Sequence, residues 1–478
     1  MATWMEMEQF AVQIEAADFP GFDNFTAPSP ADFDEGQSYW IKEYPISQEE
    51  VYRIAPLPDK VDVVIIGSGI TGASAVYELA KKAPELRVAL VEARGICTGA
   101  TGRNGGHLCR PEAYDIRRLA EVHGKKEAVR LRQLPPRNRD MLLKVIEELA
   151  IADEVDLRLN GTTAVFGSAE EREEYAKDLD FAHQAGMECE GEIWSSEETL
   201  KKLHLAPEKA KFGAAHMARS GSIFPRKLVD CLIRFAQSRM SNLTIHSYCP
   251  VQSVQKGSNA PPHMGFGYSI VTERGTMQSR TVFHGTNAYA SHLIPSLKGE
   301  SGVFGCKADV VAIQPNHDPD AAHTLEGGVG HDLFWHWAIQ RPQNGPFIYG
   351  WSGVERLLDY DDGVTLPATD PSRSHMCQWL EESFPKNFKS IQWDKDVVCS
   401  WSGVQAYTMD GTSQVGHPTK DSPGEFMSVG HNGEGMGRCF ACSAVTVDML
   451  LHYLQGGTGE KSWSPPDWFP RSFLRNVE

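Results

Sequence analysis

Gly67, Gly69 and Gly72 stand in the spacing Gly-x-Gly-x-x-Gly, with Ser68, Ile70 and Thr71 between them, and Glu92 follows twenty residues after the last glycine. Each position has a physical reason if the partner is a dinucleotide. The first glycine permits a tight turn, the second lets the backbone approach a pyrophosphate, and the third lets a helix pack closely on a strand. The helix that begins there offers positive potential to the phosphates. An acid at Glu92 accepts hydrogen bonds from ribose hydroxyls and repels a 2′-phosphate, which disfavours NADP. The triplet by itself does not separate FAD from NAD.

That chemistry needs a strand before the glycines and a helix after them. Residues 61–66 are an apolar run of strand length broken only by Asp62, residues 73–82 continue as a helix, and residues 87–92 form the next strand. Together they make a βαβ unit with parallel strands and a right-handed crossover. Residues 112–149 have a helical period interrupted at Pro135 and Pro136, and residues 157–166 alternate like a strand with a turn at Asn160-Gly161. A helix starts at Pro225, strands follow over 243–254 and 280–286, and residues 259–262 form a loop tip. Residues 331–339 and 346–350 read as aromatic-rich strands of a second sheet, and residues 437–454 as a final apolar helix.

After Glu92 come Ala93 and Arg94, and then Gly99-Ala-Thr101-Gly102-Arg103-Asn104-Gly105-Gly106-His107. This segment resembles the second flavin-binding signature of the D-amino acid oxidase superfamily, in particular its branch of sarcosine, glycine and γ-glutamylputrescine oxidases, where it passes under the flavin ring and diphosphate. Further likenesses follow in order. Gly221-Ser-Ile-Phe-Pro225-Arg-Lys-Leu228 is similar to the start of the helix before the third Rossmann strand, and Val251 falls where the family contacts adenine. Thr286 and Asn287 fall where a strand end closes on the diphosphate. Trp401-Ser-Gly403 and Thr408-Met-Asp410-Gly411 resemble later motifs, and Gly430-His431-Asn432-Gly433-Glu434-Gly435-Met436-Gly437 resembles the flavin-capping loop. In that loop glycines would let backbone N–H groups approach the flavin edge where negative charge grows on reduction. The likeness runs from about Val61 to Leu454. It implies FAD, and a non-covalent FAD, because relatives that tether the flavin use a Cys seven residues before the Asp of the Thr-x-Asp motif, where this chain has Gly403; Cys399 lies four residues away.

The resemblance implies α/β plus α+β architecture: a Rossmann-type FAD-binding domain with an interleaved antiparallel-sheet substrate domain. The expected division is an extended leader over 1–58, FAD-binding segments over 59–115, 213–300 and 396–478, and substrate-domain segments over 116–212 and 301–395. The leader carries eleven acids and one lysine as far as Glu50. Its aromatic residues, Phe19, Phe22, Phe25, Phe33, Tyr39 and Trp40, predict that much of it lies pinned on the domain surface, and Ser38-Tyr39-Trp40 gives its end a fungal-type look.

On the substrate side, Phe334-Trp335-His336-Trp337 alternates along one strand, so Trp335 and Trp337 share a face and His336 takes the other. With Tyr349 and Trp351 they are candidates for an aromatic cage around an amine. His107 and Arg103 lie by resemblance near the flavin edge, placed to orient substrate or tune the ring, and Glu434 is a candidate partner for an ammonium group. The family's carboxylate-binding lysine is replaced by Gly437, with Arg438 beside it, and its oxygen-activating lysine falls near Ile348. Cys439-Phe-Ala-Cys442 sits on an apolar helix without a second pair or a histidine cluster, so it reads as two buried thiols rather than a metal site.

The chain has 478 residues, 41% hydrophobic and 23% charged, enough for about two cores. Its net charge of −17 argues against nucleic acid and anionic membrane surfaces as partners. Ten scattered cysteines read as reduced thiols, no secretory signal or run of about 18 apolar residues appears, and a cytoplasmic location follows as the expectation. The function expected is oxidation of a C–N bond in a small amine or amino acid, by hydride transfer to flavin N5, an imine product, and reoxidation by O₂ to peroxide. The alternatives are a flavin dehydrogenase or tailoring oxidase of a larger metabolite, and a catalytically silent FAD-binding scaffold.

Overall fold

The computed structural model describes residues 25–32, 38–109, 112–257, 265–316, 324–331, 335–361, 365–456 and 463–477, and for residues 354 and 355 the backbone alone. Phe19, Phe22, Phe33, Phe334 and the loop tip at 259–262 lie outside the described residues. In chain order the strands are β1 (Lys60–Ile66), β2 (Val88–Val91), β3 (Thr162–Val165), β4 (Gly191–Trp194), β5 (Ala214–Met217), β6 (Leu243–His246), β7 (Val251–Lys256), β8 (Tyr268–Thr272) and β9 (Gly275–His284). They continue with β10 (Phe304–Ile313), β11 (Gly328–His331), β12 (His336–Gln340), β13 (Phe347–Leu357), β14 (Val397–Tyr407), β15 (Gln414–Gly416), β16 (Glu425–Val429) and β17 (Leu474–Arg475).

The chain passes between two sheets. A nine-stranded sheet has the order β17-β15-β16-β9-β1-β2-β6, with β8 pairing β9 and β7 pairing β8; an eight-stranded sheet has the order β14-β10-β13-β12-β11-β3-β5-β4. In the first sheet β16, β9, β1, β2 and β6 run parallel, so β1 is flanked on both sides and all but its first residue are buried. The second sheet is antiparallel except where β11 meets β3. Strand β14 belongs to the second sheet, so the segment expected to end at residue 395 runs on to Tyr407.

The helix Ile70–Lys82 follows β1 at once. A Cβ on Gly72 would sit 1.9 Å from the Gly67 carbonyl oxygen, so only glycine allows this helix so close to the turn that launches it. The helix Gly435–Leu454 packs beside it, and Ser443 Oγ donates to Thr71 O at 2.9 Å, tying the two together. A third helix, Lys125–Glu148, runs straight through Pro135 and Pro136, and the break in this region falls instead at Gly124. Packing overrides the local proline signal: fully buried Asn138 donates to Met436 O at 2.7 Å and accepts from Ala441 N at 2.9 Å, fixing this helix to the last one.

Three further expectations need correction. Residues 243–254 are two strands, because Tyr248 takes a positive φ and the turn bonds back to the β2 exit, Tyr248 N to Arg94 O and Cys249 N to Glu92 O, both at 2.9 Å. His331 ends β11 and His336 opens its antiparallel partner β12, where one strand was expected, so Trp335 precedes the strand that holds Trp337. The leader does more than lie on the surface, since Trp40 is 0% exposed.

Asp62, the one acid in the β1 run, accepts from Arg87 N and Nε at 3.0 Å and from Nη2 at 2.9 Å. Burial alone would raise its carboxyl, but the Arg87 contacts outweigh burial and hold it below the usual aspartate value. Asp62→Asn is expected to cost about 1–2 kcal/mol at neutral pH. That cost should be present above the unfolded-state value of about 4 and fade as pH falls through the lower folded-state value, where the wild-type carboxyl is neutral too. Denaturant melts of both proteins at pH 7 and at about pH 2.5 check this; an equal difference at the two pH values would contradict it.

Candidate cofactor and substrate site

A long cleft runs between the two sheets, with an empty volume of about 2100 Å³, open mouth included. Two helix N-termini face it. Ile70–Lys82 begins after Gly69, which has no side chain to cap it, and Gly435–Leu454 begins after Glu434, whose side chain takes no backbone N–H of that helix, so neither end is capped by its own N-cap side chain and both offer positive potential.

At one end the lining includes Glu92, Ala93, Arg94, Cys249 and Val251. The Glu92 carboxylate is aimed by Ser68, whose N and Oγ donate to Oε2 at 2.8 and 2.7 Å, and by Arg94 N, which donates to Oε1 at 3.1 Å. Ser68 therefore acts from behind the wall rather than on it. Further along, Gly67, Gly69, Ile70, Thr71, Thr101, Thr286 and Asn287 line the middle. Thr101 Oγ1 accepts from Ile70 N at 3.0 Å, which joins the second signature to the first.

At the other end the loop 103–107 meets the second sheet and the loop 431–437. The indole of Trp337 is lodged between two glycines: a Cβ on Gly105 would lie 2.4 Å from its Cδ1, and one on Gly350 would lie 2.3 Å from its Cε2. Arg103 lines the cleft but spends donors on structure, Nε to Thr98 O at 2.7 Å and Nη1 to Ser402 O at 2.9 Å. Its own carbonyl accepts from Trp401 Nε1 at 2.8 Å. His107 is pressed on the second sheet, where burial pushes its imidazole down to about 4 against backbone contacts at Ala338 and Val329. It is neutral at physiological pH. His431 is also held neutral, pushed down to about 3 by burial and by Arg438.

Glu434 does not wait for an ammonium group, because its carboxylate is paired with the Arg438 guanidinium. Tyr349 and Trp335 are not on the cleft wall. Tyr349 faces the opposite side of the second sheet, where its hydroxyl meets His336 Nδ1 at 2.8 Å and its ring stacks on Trp379 at 4.7 Å. Trp351 joins that layer against His375. Of the four candidate cage residues, Trp337 alone lines the cleft. Gly72, Gly102, Trp401, Asp410 and Gly430 likewise stand behind the wall. Asp410 builds a turn, accepting from Thr412 N at 2.9 Å and Thr412 Oγ1 at 2.7 Å. Gly403 does line the cleft, with the place of its Cβ 3.0 Å from Arg103 Cβ.

Sequence reasoning missed Gln405 and Tyr407, two and four residues beyond Gly403 on β14, which the period of a strand puts on the same face. Tyr407 donates to Gln405 Oε1 at 2.9 Å, and both reach the capping loop, within 3.0 Å of where a Gly433 Cβ would be. Pro135 was also missed; its ring reaches the start of the last helix, 3.4 Å from the place of a Gly437 Cβ. All ten cysteines are free, and burial pushes the Cys439 thiol up to about 12, so the Cys-x-x-Cys pair is inert in this setting. No group of His, Cys, Asp and Glu that could hold a metal ion occurs among the described residues.

The chain matches the family model described as DAO, FAD dependent oxidoreductase, over residues 62–449. It is 27% identical over 257 residues to the protein described as Probable oxidoreductase OrdL of Rhizobium meliloti (strain 1021), covering 52% of this chain and 54% of that protein, so about half of that relative's length is spanned. Over 387 residues it is 22% identical to the glycine oxidase of Geobacillus kaustophilus (strain HTA426), covering 79% of this chain and 89% of that one. The solved structure of glycine oxidase from Geobacillus kaustophilus shares the fold with a TM-score of 0.63 at 20% identity, over 84% of this chain and 97% of that chain.

The residues present fit FAD. Thr286 Oγ1 and Trp337 Nε1 are buried on the cleft wall with no partner among the described residues, Glu92 is aimed at one end, and two helix ends face the middle and the far end. Gly105→Ala drives a methyl group into the Trp337 indole and displaces the loop. FAD retained after gel filtration, read from visible absorbance per chain, should fall to under about one tenth, given the 1–3 kcal/mol that overpacking costs; full retention would contradict the role of this contact. The glycine signature, the aimed carboxylate and the family match over residues 62–449 agree: the chain belongs to the DAO family of FAD-dependent oxidoreductases.

Proposed function

We propose that this protein oxidises the C–N bond of a small amine or amino acid to an imine, which water hydrolyses, with O₂ taking the electrons and leaving as peroxide. Bound FAD supplies the two-electron, hydride-accepting chemistry. The observation that carries the reading is the character of the far end of the cleft. Its one acid, Glu434, is neutralised by Arg438, the His107 and His431 imidazoles are neutral, and Arg103 is tied to two carbonyls. Such a wall orients a neutral amine and excludes water more readily than it relays protons, and hydride removal needs positioning more than a base. Gln405 and Tyr407 offer uncharged hydrogen bonds to the amine, and Trp337 offers it an apolar face. The similarity to a protein described as a glycine oxidase supports a small amino substrate.

The second sheet, in this reading, roofs the substrate, and the first sheet carries the cofactor without a covalent bond. The protein works in the cytoplasm, which ten free thiols support. No helix among the described residues is long and apolar enough to cross a membrane.

The test is an anaerobic titration of the purified protein with amines and with D- and L-amino acids, following the visible band of the oxidised flavin. One class should bleach the band, and air should restore it with release of peroxide. A yellow protein that neither amines nor amino acids bleach would overturn the proposal.

A further inference from the structure

Three successive carbonyls of the loop that lines the far end of the cleft each receive a buried side-chain donor. Ser38 Oγ donates to Gly102 O, Trp401 Nε1 to Arg103 O at 2.8 Å, and Trp40 Nε1 to Asn104 O at 2.7 Å. Trp401 comes from the second sheet, but Ser38 and Trp40 come from the leader, ahead of the family match that begins at residue 62. Ser38 is also the N-cap of the short helix Tyr39–Glu43 and accepts from Ile41 N at 3.3 Å, so one hydroxyl joins that helix to the loop. The Trp40 ring meets Phe224 edge-on at 4.8 Å and lies under the Arg341 guanidinium at 5.1 Å. Its Cζ2 lies 3.1 Å from where a Gly106 Cβ would be, so the leader also fills the space behind the loop.

We propose that Ser38 and Trp40 are positioning residues for the flavin: a strap from the leader that fixes the peptide planes of loop 102–105 from behind. A trans peptide points its N–H opposite to its C=O. Holding Arg103 O and Asn104 O against the two indoles therefore turns the N–H groups of Asn104 and Gly105 the other way, and both residues line the cleft. Without the strap Trp401 still holds Arg103 O, but the Asn104–Gly105 plane loses its tie at Asn104 O and the Gly105 N–H loses its aim. Ordering the loop in advance lowers the cost of binding. The leader thus acts on cofactor affinity as well as on packing.

The test is FAD affinity of apoprotein, measured by titration with FAD, together with thermal melts with and without FAD. The variants are Trp40→Phe, which keeps an aromatic ring and removes the N–H, Ser38→Ala, and Tyr44→Phe. Tyr44 lies on the same leader, but its hydroxyl donates to Asp230 at 2.8 Å, away from the loop. Loss of one buried donor predicts that Trp40→Phe raises the FAD dissociation constant roughly tenfold and Ser38→Ala about fivefold. Both should shrink the rise in melting temperature that FAD brings. Tyr44→Phe should lower the melting temperature of the apoprotein and leave FAD affinity as it was. If Trp40→Phe fails to fold, Ser38→Ala decides the matter alone. Wild-type affinity in both leader variants, with only the apoprotein melt lowered as in Tyr44→Phe, would overturn the proposal.

Discussion

The loop 101–107 is the constraint on which the rest of the structure depends. It must belong to the first sheet's dinucleotide site at one end and to the second sheet at the other. Thr101 meets the start of the helix Ile70–Lys82, and Gly105 is set against Trp337. Between those points its carbonyls are drawn backward by buried side chains, and Arg103 spans from Thr98 O to Ser402 O. A backbone held this way carries its donors as fixed dipoles, the kind of preorganised group that lowers a barrier without reorganisation.

The interleaving of the chain follows from the same requirement. Strands β1, β2 and β6 to β9 build most of the first sheet, and the chain leaves twice to build the other sheet before returning with β15, β16 and the last helix. Each departure starts or ends at the cleft. The first begins after loop 101–107, and the second ends when β14 delivers Gly403, Gln405 and Tyr407 to it. A joint between two sheets made by several crossings is stiff, which suits chemistry that depends on placement. Charge is managed in keeping with this. Arg103 is tied to Thr98 O and Ser402 O, Glu434 is paired with Arg438, and burial keeps His107 and His431 neutral.

Much of this was legible in the sequence, for identifiable reasons. The run at 61–66 and the glycine triplet after it are local signals, and β1 and the helix Ile70–Lys82 fall where they place them. The period of two correctly puts Trp337 and His336 on opposite faces. It does not say which face sees the cleft, and Tyr349 was assigned to the wrong one, because the covering helix Pro371–Ser383, with Trp379, lies far away in the chain. Pro135 and Pro136 mislead for a similar reason: the contacts of Asn138 with the last helix outweigh a local breaker. Ser68, Asp410 and Trp401 were picked from motifs as contacts and turn out to hold the contacts in place. A motif marks a residue as needed without telling whether it touches the ligand. Gly403 was marked by the resemblance alone; with β14 in view, the strand period puts Gln405 and Tyr407 on its face.

The claim that this cleft holds one FAD without a covalent bond, with Gly403 where relatives carry a tethering Cys, is tested most directly by the absorption spectrum of the purified protein before and after acid precipitation. The account predicts a yellow protein with about one flavin per chain, all of it found in the supernatant as free FAD. A protein that takes up no FAD, or a flavin that stays with the precipitated chain, would contradict it.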